Sequence, residues 1–257
     1  MNILICGATG FIGRNILEYY LKKTKHNIYA VYNLKKKYIS DSRIKWINCD
    51  LRDENKVNKL TKNMDIVIQA AATTTGSRDA INQPYVHVTD NAIMNALIFK
   101  SCFKNNVKHC IFFSCTTMYK SSKIPLKEQD FNPLKDIDQK YFGVANTKLY
   151  NEKMCEFYSS LGKTKYTAIR HSNIYGPYDK FDLERSHVFG ATITKVMTAK
   201  KEITVWGKGK EKRDLLYVDD LVSFVILVIK KQKNNFELLN CGLGKDISIN
   251  DLVKKII

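Results

Sequence analysis

The chain opens Met1-Asn2-Ile3-Leu4-Ile5-Cys6-Gly7-Ala8-Thr9-Gly10-Phe11-Ile12-Gly13, and no other stretch restricts the fold as strongly. Ile3 to Cys6 is a short apolar run of the kind that forms a parallel strand buried on both faces. Gly7, Gly10 and Gly13 follow at three-residue spacing. Glycines so placed permit a tight turn, close approach of the backbone to a pyrophosphate, and close packing of helix on sheet. Ile12, Ile16, Leu17, Tyr20 and Leu21 then trace one face of a helix. Its first amides, with a helix-end charge of roughly +0.5, aim at the phosphate position. A glycine triplet alone is weak evidence, but the strand before and the helix after make this a dinucleotide-binding turn. Gly7, Thr9, Gly10, Phe11, Ile12, Gly13 and Arg14 are its candidate contacts.

A length of 257 residues allows one large domain, or a domain with a smaller partner, and 44% hydrophobic residues suits a packed core. The longest apolar run, Ser223 to Ile229, is far too short to span a bilayer, so no membrane partner is expected. The first strand is expected to start at residue 2, so no signal peptide is expected before it. The seven cysteines are odd in number, scattered, and without paired-ligand spacing. Neither metal nor disulfides are expected, and a reducing cytoplasm is the expected location. The net charge of +17 invites a nucleic-acid reading, but the lysines are spread along the whole chain. No nucleic-acid partner is expected; the field instead favours phosphorylated substrates and cofactors.

Strand and helix patterns alternate. Strands are expected at Ile28–Tyr32, Ile44–Cys49, Asp65–Ala70, Cys110–Ser114 and Tyr166–Arg170. Helices are expected around Val57–Leu60, Thr89–Lys104 and Val144–Ser160. Such alternation predicts an α/β fold, a doubly wound parallel sheet with ligands beyond the carboxyl ends of its strands. After Tyr175 the texture changes. A helix is expected over His187–Ala199, strands over Ile203–Trp206, Leu215–Val218 and Glu237–Cys241, a helix capped by Asp219 or Asp220, and a last helix capped by Ser248. The expected division is a dinucleotide-binding domain over 1–174, to which 214–240 returns, and a small discontinuous substrate domain over 175–213 and 241–257.

GATGFIG, Asp50-Leu51-Arg52-Asp53, Ala70-Ala71-Ala72, the segment Ser114 to Tyr119 and Asn173-Ile174-Tyr175-Gly176-Pro177 occur in one order. Together they resemble the extended short-chain dehydrogenase/reductase family. His187, the Val205-Trp206-Gly207 stretch and Arg213 before Tyr217-Val218-Asp219-Asp220 are similar to its GDP-L-fucose synthase branch. The resemblance covers nearly the whole chain, though family members usually continue for several more elements. It implies a Rossmann fold, Asp50 and Leu51 beside the adenine, and Ala70 to Ala72 against the cofactor ribose. It also implies a homodimer through helices 89–104 and 144–160, and a nucleotide-sugar substrate.

Charge bears on the cofactor. An acid at the end of the second strand accepts the ribose hydroxyls of NAD and repels a 2′-phosphate. Here the region reads Tyr32-Asn33-Leu34-Lys35-Lys36-Lys37, with no acid and three cations. Lys35 and Arg14 therefore favour NADP(H), with NAD(H) as the alternative; a solvated loop is the competing reading of the lysines.

The family's reaction implies a tyrosine to carry a proton, a lysine four residues later on the same helix face, and a Ser/Thr hydroxyl near the ketone. Lys148 is in register, but Val144 stands at the tyrosine position. Two readings follow: catalysis is lost and a dinucleotide-binding sensor or scaffold remains, or Tyr141 takes over. Seven helical residues span about 10.5 Å, too far for a close pair, so Tyr141 works only from a loop before a helix starting near Gly143. The hydroxyl slot holds Cys115, with Thr116 beside it. In the fucose synthase branch a cysteine two before the Tyr119 position pairs with a histidine; here Thr117 stands there, while His187 matches the histidine. Asn173, Lys195, Trp206 and Arg213 are candidate substrate contacts: Arg213 suits a diphosphate and Trp206 a stacked ring. The reaction so implied is an NADP-dependent reduction or epimerisation, with 4-keto reduction foremost.

Overall fold

The computed structural model describes residues 1–35, 37–74, 83–183, 186–205 and 207–257. In chain order the elements are β1 (Asn2–Cys6), α1 (Phe11–Lys23), β2 (Asn27–Tyr32), β3 (Ile44–Asn48), α2 (Glu54–Leu60), β4 (Ile66–Gln69), α3 (Thr89–Lys104) and β5 (His109–Cys115). There follow α4 (Phe142–Leu161), β6 (Lys165–His171), β7 (Asn173–Tyr175), α5 (Val188–Thr198), β8 (Lys212–Tyr217), α6 (Val218–Lys231), β9 (Phe236–Cys241), β10 (Asp246–Ser248) and α7 (Ile249–Ile256).

Seven strands form one sheet in the order β3-β2-β1-β4-β5-β6-β9, every neighbouring pair parallel. The expected doubly wound architecture is what the chain adopts. Alternation along β1 explains why both faces carry helices. Ile3 and Ile5 join the core with Ile16 and Leu17 of α1 and Val225 of α6. Leu4 and Cys6 face the opposite core, with Val57 of α2, Ile98 of α3 and Cys155 of α4. All four β1 side chains are fully buried, and burying a large aliphatic side chain contributes about 1.5–3 kcal/mol. The chain crosses from one half of the sheet to the other between β1 and β4, which opens a crevice at their carboxyl ends.

A second sheet has the order β10-β8-β7, with β8 parallel to β7 and antiparallel to β10. The boundaries expected at 174/175 and 213/214 fall within β7 and β8, which pair in parallel with Asn173 in register with Leu215. The expected strand at Ile203–Trp206 is not formed over 203–205, and Trp206 lies outside the described residues. Ile203 and Val205 instead line a cleft with Asn250 and Val253 of α7. β-branched residues make a strand only where a neighbour takes their backbone groups. Asp219 and Asp220 do not cap α6: Tyr217 is the cap position, and both acids lie in the first turn, where they favour the helix dipole. Ser248 caps α7, its side chain accepting from the Asp251 amide at 3.1 Å. No helix among the described residues is long and apolar enough to cross a membrane.

Candidate functional site

The glycine turn joins β1 to α1. Gly7 has φ +74°, and a Cβ there would lie 2.7 Å from the Ala71 backbone. A Cβ on Gly13, buried in the first turn of α1, would collide with the Gly7 carbonyl. The Gly10 amide donates to that carbonyl at 2.9 Å. The first bond within α1 runs from the Arg14 amide to the Gly10 carbonyl at 2.8 Å. The amides of Phe11, Ile12 and Gly13 therefore project from the helix end. No side chain caps the helix, and its first turn holds no acid. The Phe11 and Ile12 side chains pack on the core, and Thr9 is half-buried in the turn. An anion fits this end better than any group the chain supplies.

Arg14 lies between two aromatic rings, 3.9 Å from the Tyr38 centroid and 3.5 Å from that of Tyr178. Its Nε donates to Glu18 Oε1 at 3.1 Å. Asn15 Nδ2 donates to the Pro177 carbonyl at 3.0 Å, and the Tyr178 hydroxyl to Glu18. The turn after β7 is thereby strapped to α1. Tyr178 has φ +71°, a left-handed conformation costly for a non-glycine residue. Lys35 is exposed on the loop after β2. Asp50 is held by Arg52 through Oδ2–Nη2 at 2.7 Å and Oδ1–Nε at 3.0 Å, which brings its carboxyl down to about 2. Leu51 beside it is buried. At the exit of β4, Ala70 and Ala71 are half-buried and Ala72 is exposed. Gln69 Nε2 donates to the Ala71 carbonyl at 3.1 Å, and the Thr73 amide to Asn91 Oδ1 at 2.9 Å, fixing this exit.

Two strands away lies a second group of side chains. Cys115 ends β5 and is in register with His171, which ends β6. Lys148 reaches in from α4, donating Nζ to the Phe113 carbonyl at 2.7 Å above the Phe112 ring. Burial draws its ammonium pKa down, while Cys115 and Glu152 oppose that shift. Burial, together with Lys148 and His187, lowers the His171 imidazole to about 4, so this ring is neutral near pH 7. Its Nδ1 lies 2.8 Å from the Ser172 carbonyl. Thr116 opens a short 3-10 turn, Thr116–Met118, beside Cys115. Tyr141 closes another, Gln139–Tyr141, and is the cap position of α4. Both turns contact α4. The helix begins at Phe142, next to the expected start near Gly143, so Tyr141 lies directly outside it, while Val144 lies within its first turn.

The remaining candidates surround the small sheet. His187 caps α5. Its side chain is open to solvent on one side, yet the chain packed around it keeps the imidazole pKa below its usual value, against the pull of Asp179. Asn173 donates Nδ2 to the Asp214 carbonyl at 3.2 Å, tying β7 to β8. Arg213 is exposed, with Nη1 on the Lys212 carbonyl at 2.7 Å. Asp214 is engaged elsewhere, accepting from Ser172 Oγ at 2.8 Å and from the Leu243 and Gly244 amides. Lys195 Nζ donates to the Thr204 carbonyl at 2.8 Å.

Residues 3–242 match the model of the NAD dependent epimerase/dehydratase family. The chain belongs to this family. Its similarity to GDP-L-colitose synthase of Yersinia pseudotuberculosis is 27% identity, covering 100% of this chain and 81% of that protein. To GDP-L-fucose synthase of Azorhizobium caulinodans it is 27%, covering 99% and 80%. Among solved structures, UDP-glucose 4-epimerase of Thermotoga maritima, crystallised with UDP-glucose, superposes with a TM-score of 0.85 at 23% identity, covering 100% of this chain and 81% of that one. The resemblance read from the motifs and the Rossmann-type fold are both borne out.

Within this epimerase/dehydratase fold, sequence reasoning passed over four residues. His171 follows the strand expected at Tyr166–Arg170 and ends the observed β6, and its type at a strand's carboxyl end is itself a clue to chemistry. Tyr38 and Tyr178 flank Arg14 from stretches 24 and 164 positions away, and no local pattern joins them. Asp179 sits in a turn where a carboxylate is commonplace.

Proposed function

We propose that the chain is an NADP(H)-dependent oxidoreductase or epimerase of nucleoside diphosphate sugars, and that it reduces a 4-keto sugar. The observation that carries this reading is the placing of Lys148, Cys115 and His171 at the carboxyl end of the sheet whose β1 exit is the glycine turn. The projecting amides of Phe11 to Gly13 and the small residues Ala70 to Ala72 fit a dinucleotide. Lys35 and the absence of an acid in Asn33-Leu34-Lys35 favour the form with a 2′-phosphate.

Bound NADPH supplies the hydride that adds to the carbonyl carbon. The ketone oxygen takes its proton from the Tyr141 hydroxyl, and the product is a secondary alcohol. Lys148 stabilises the phenolate that Tyr141 leaves behind, and solvent returns its proton. Thr116 donates to the ketone oxygen and sets its direction, a task for which the Cys115 thiol is a poor donor. Arg213 and Lys195 hold the diphosphate, and Asn173 and His187 face the sugar. The second sheet with α5 and α7 is the substrate-facing part.

Purified protein given NADPH and 4-keto nucleotide sugars is expected to consume NADPH faster than NADH. Tyr141→Phe is expected to lower kcat by about 10²–10⁴-fold while NADPH affinity measured by fluorescence stays unchanged. Equal turnover in the variant removes Tyr141 as the proton donor. Val144 favours a second reading, a dinucleotide-binding sensor or scaffold, and saturable NADPH binding without turnover of any keto sugar selects it.

We also propose a homodimer through α3 and α4. Phe142, Tyr150, Phe157 and Leu161 recur at helical spacing along α4 and are 57, 47, 52 and 49% exposed, with Ile93 on α3 at 41%. An apolar stripe of this length left open to water is a mark of an interface. Sedimentation equilibrium is expected to return twice the chain mass, and a monomer at micromolar concentration contradicts the pairing.

A further inference from the structure

The turn after β7 holds a carboxylate that the chemistry above does not use. Asp179 is half-buried, and its Oδ1 accepts from the Lys180 amide at 2.7 Å. Its Oδ2 is buried with no hydrogen-bond partner among the described residues. A buried, unpaired carboxylate oxygen is costly, and such atoms concentrate where a function requires them. The turn around it is fixed on several sides. Arg14 and Asn15 strap it to α1, as described, and Lys180 Nζ donates to the Thr74 carbonyl at 3.1 Å beside the β4 exit. The Lys180 carbonyl accepts from Ser186 Oγ at 2.6 Å and packs against Gly190, where a Cβ would collide with it. Residues 179–180 are thus pressed onto the start of α5, at whose cap stands His187.

We propose that Asp179 is a positioning residue for His187, its unpartnered Oδ2 accepting an imidazole N–H when the ring turns toward it. This rests on the function proposed above, in which His187 faces the sugar. A carboxylate on one ring nitrogen fixes the tautomer, directs the other nitrogen toward substrate and supports the imidazolium when that nitrogen takes a proton. An imidazole so held exchanges a proton with a sugar carbon or hydroxyl. Electrostatics agree with the geometry. Burial raises the Asp179 carboxyl, with His187 and Lys180 pulling it back, and Asp179 in turn raises His187. Among the described residues, the charged or titratable groups facing His187 are Asp179 and Lys180 from the turn and His171 from the end of β6; of these Asp179 alone favours the imidazolium.

The test follows the imidazole signals by NMR in the substrate-free protein, with His187 assigned through His187→Gln. Asp179→Asn keeps the shape and removes the charge. The His187 midpoint is expected to move to lower pH in Asp179→Asn, to stay near its original value in Asp179→Glu, and the His109 midpoint to stay put in both. An unchanged His187 midpoint in Asp179→Asn overturns the pairing, whether or not the protein turns over a sugar. Where turnover is measurable, the acid limb of the kcat profile is expected to shift in the same direction, a change that loosened packing alone does not produce. A parent protein without turnover but with the shifted midpoint keeps the pair and removes the reductase reading.

Discussion

Arg170→Met is expected to cost about 3–5 kcal/mol of stability, read as a lower urea midpoint at unchanged slope. Arg170 and Glu152 are each 3% exposed and meet in a forked pair, Nε to Oε1 at 2.9 Å and Nη2 to Oε2 at 2.7 Å. Ser114 Oγ also donates to Oε1 at 2.5 Å. Arg170 Nη1 donates to the Tyr119 hydroxyl at 2.8 Å, and that hydroxyl donates to Asn240 Oδ1 at 2.9 Å. One network therefore joins α4, β5, β6 and β9. Removing the guanidinium leaves the Glu152 carboxylate in the interior with the Ser114 hydroxyl as its hydrogen-bond donor and the Lys148 ammonium as a more distant charge. Taking both charges away, in Arg170→Met with Glu152→Leu, is expected to cost less than the single change, since the desolvation of two ions is then avoided. A single variant within 1 kcal/mol of the parent would show that water reaches the pair.

Lys148→Met is expected to lower kcat for 4-keto sugar reduction by about 10²–10⁴-fold, with the urea midpoint shifted far less than in Arg170→Met. The ammonium lies beneath the carboxyl ends of β5 and β6, anchored on Phe113 O and kept from full hydration. A cation held in that way stabilises a developing phenolate more than the same charge in water does. Lys148→Arg keeps the charge but changes its shape and reach, so partial activity is expected there. Stopped-flow reduction with saturating NADPH separates the chemical step from binding. Turnover in Lys148→Met within threefold of the parent would remove Lys148 from the chemistry.

Elements with a strong, long pattern were legible in the sequence. Helix α3 occupies Thr89–Lys104, the residues its periodicity marks, and β1 with its glycine turn needed no tertiary information. The short strands β7 and β10, three residues each, carry too few positions for any period. Ile203 to Val205 has strand composition but no neighbour, whereas Lys212 to Tyr217 has two. The glycine turn is readable because its job is done by backbone and local spacing. Cys115 and His171 meet only through the register of β5 on β6, which a linear pattern does not encode. The arginine between Tyr38 and Tyr178 and the orphaned oxygen of Asp179 arise in the same way, from segments that folding brings side by side.

That aromatic sandwich has a bearing on how the molecule flexes. Tyr38, Arg14 and Tyr178 belong to the loop after β2, to α1 and to the turn after β7, so the stack rivets three separate stretches at one corner. Tyr38 and Tyr178 therefore part from α1 only by releasing the same guanidinium, so the three stretches are expected to move as one body.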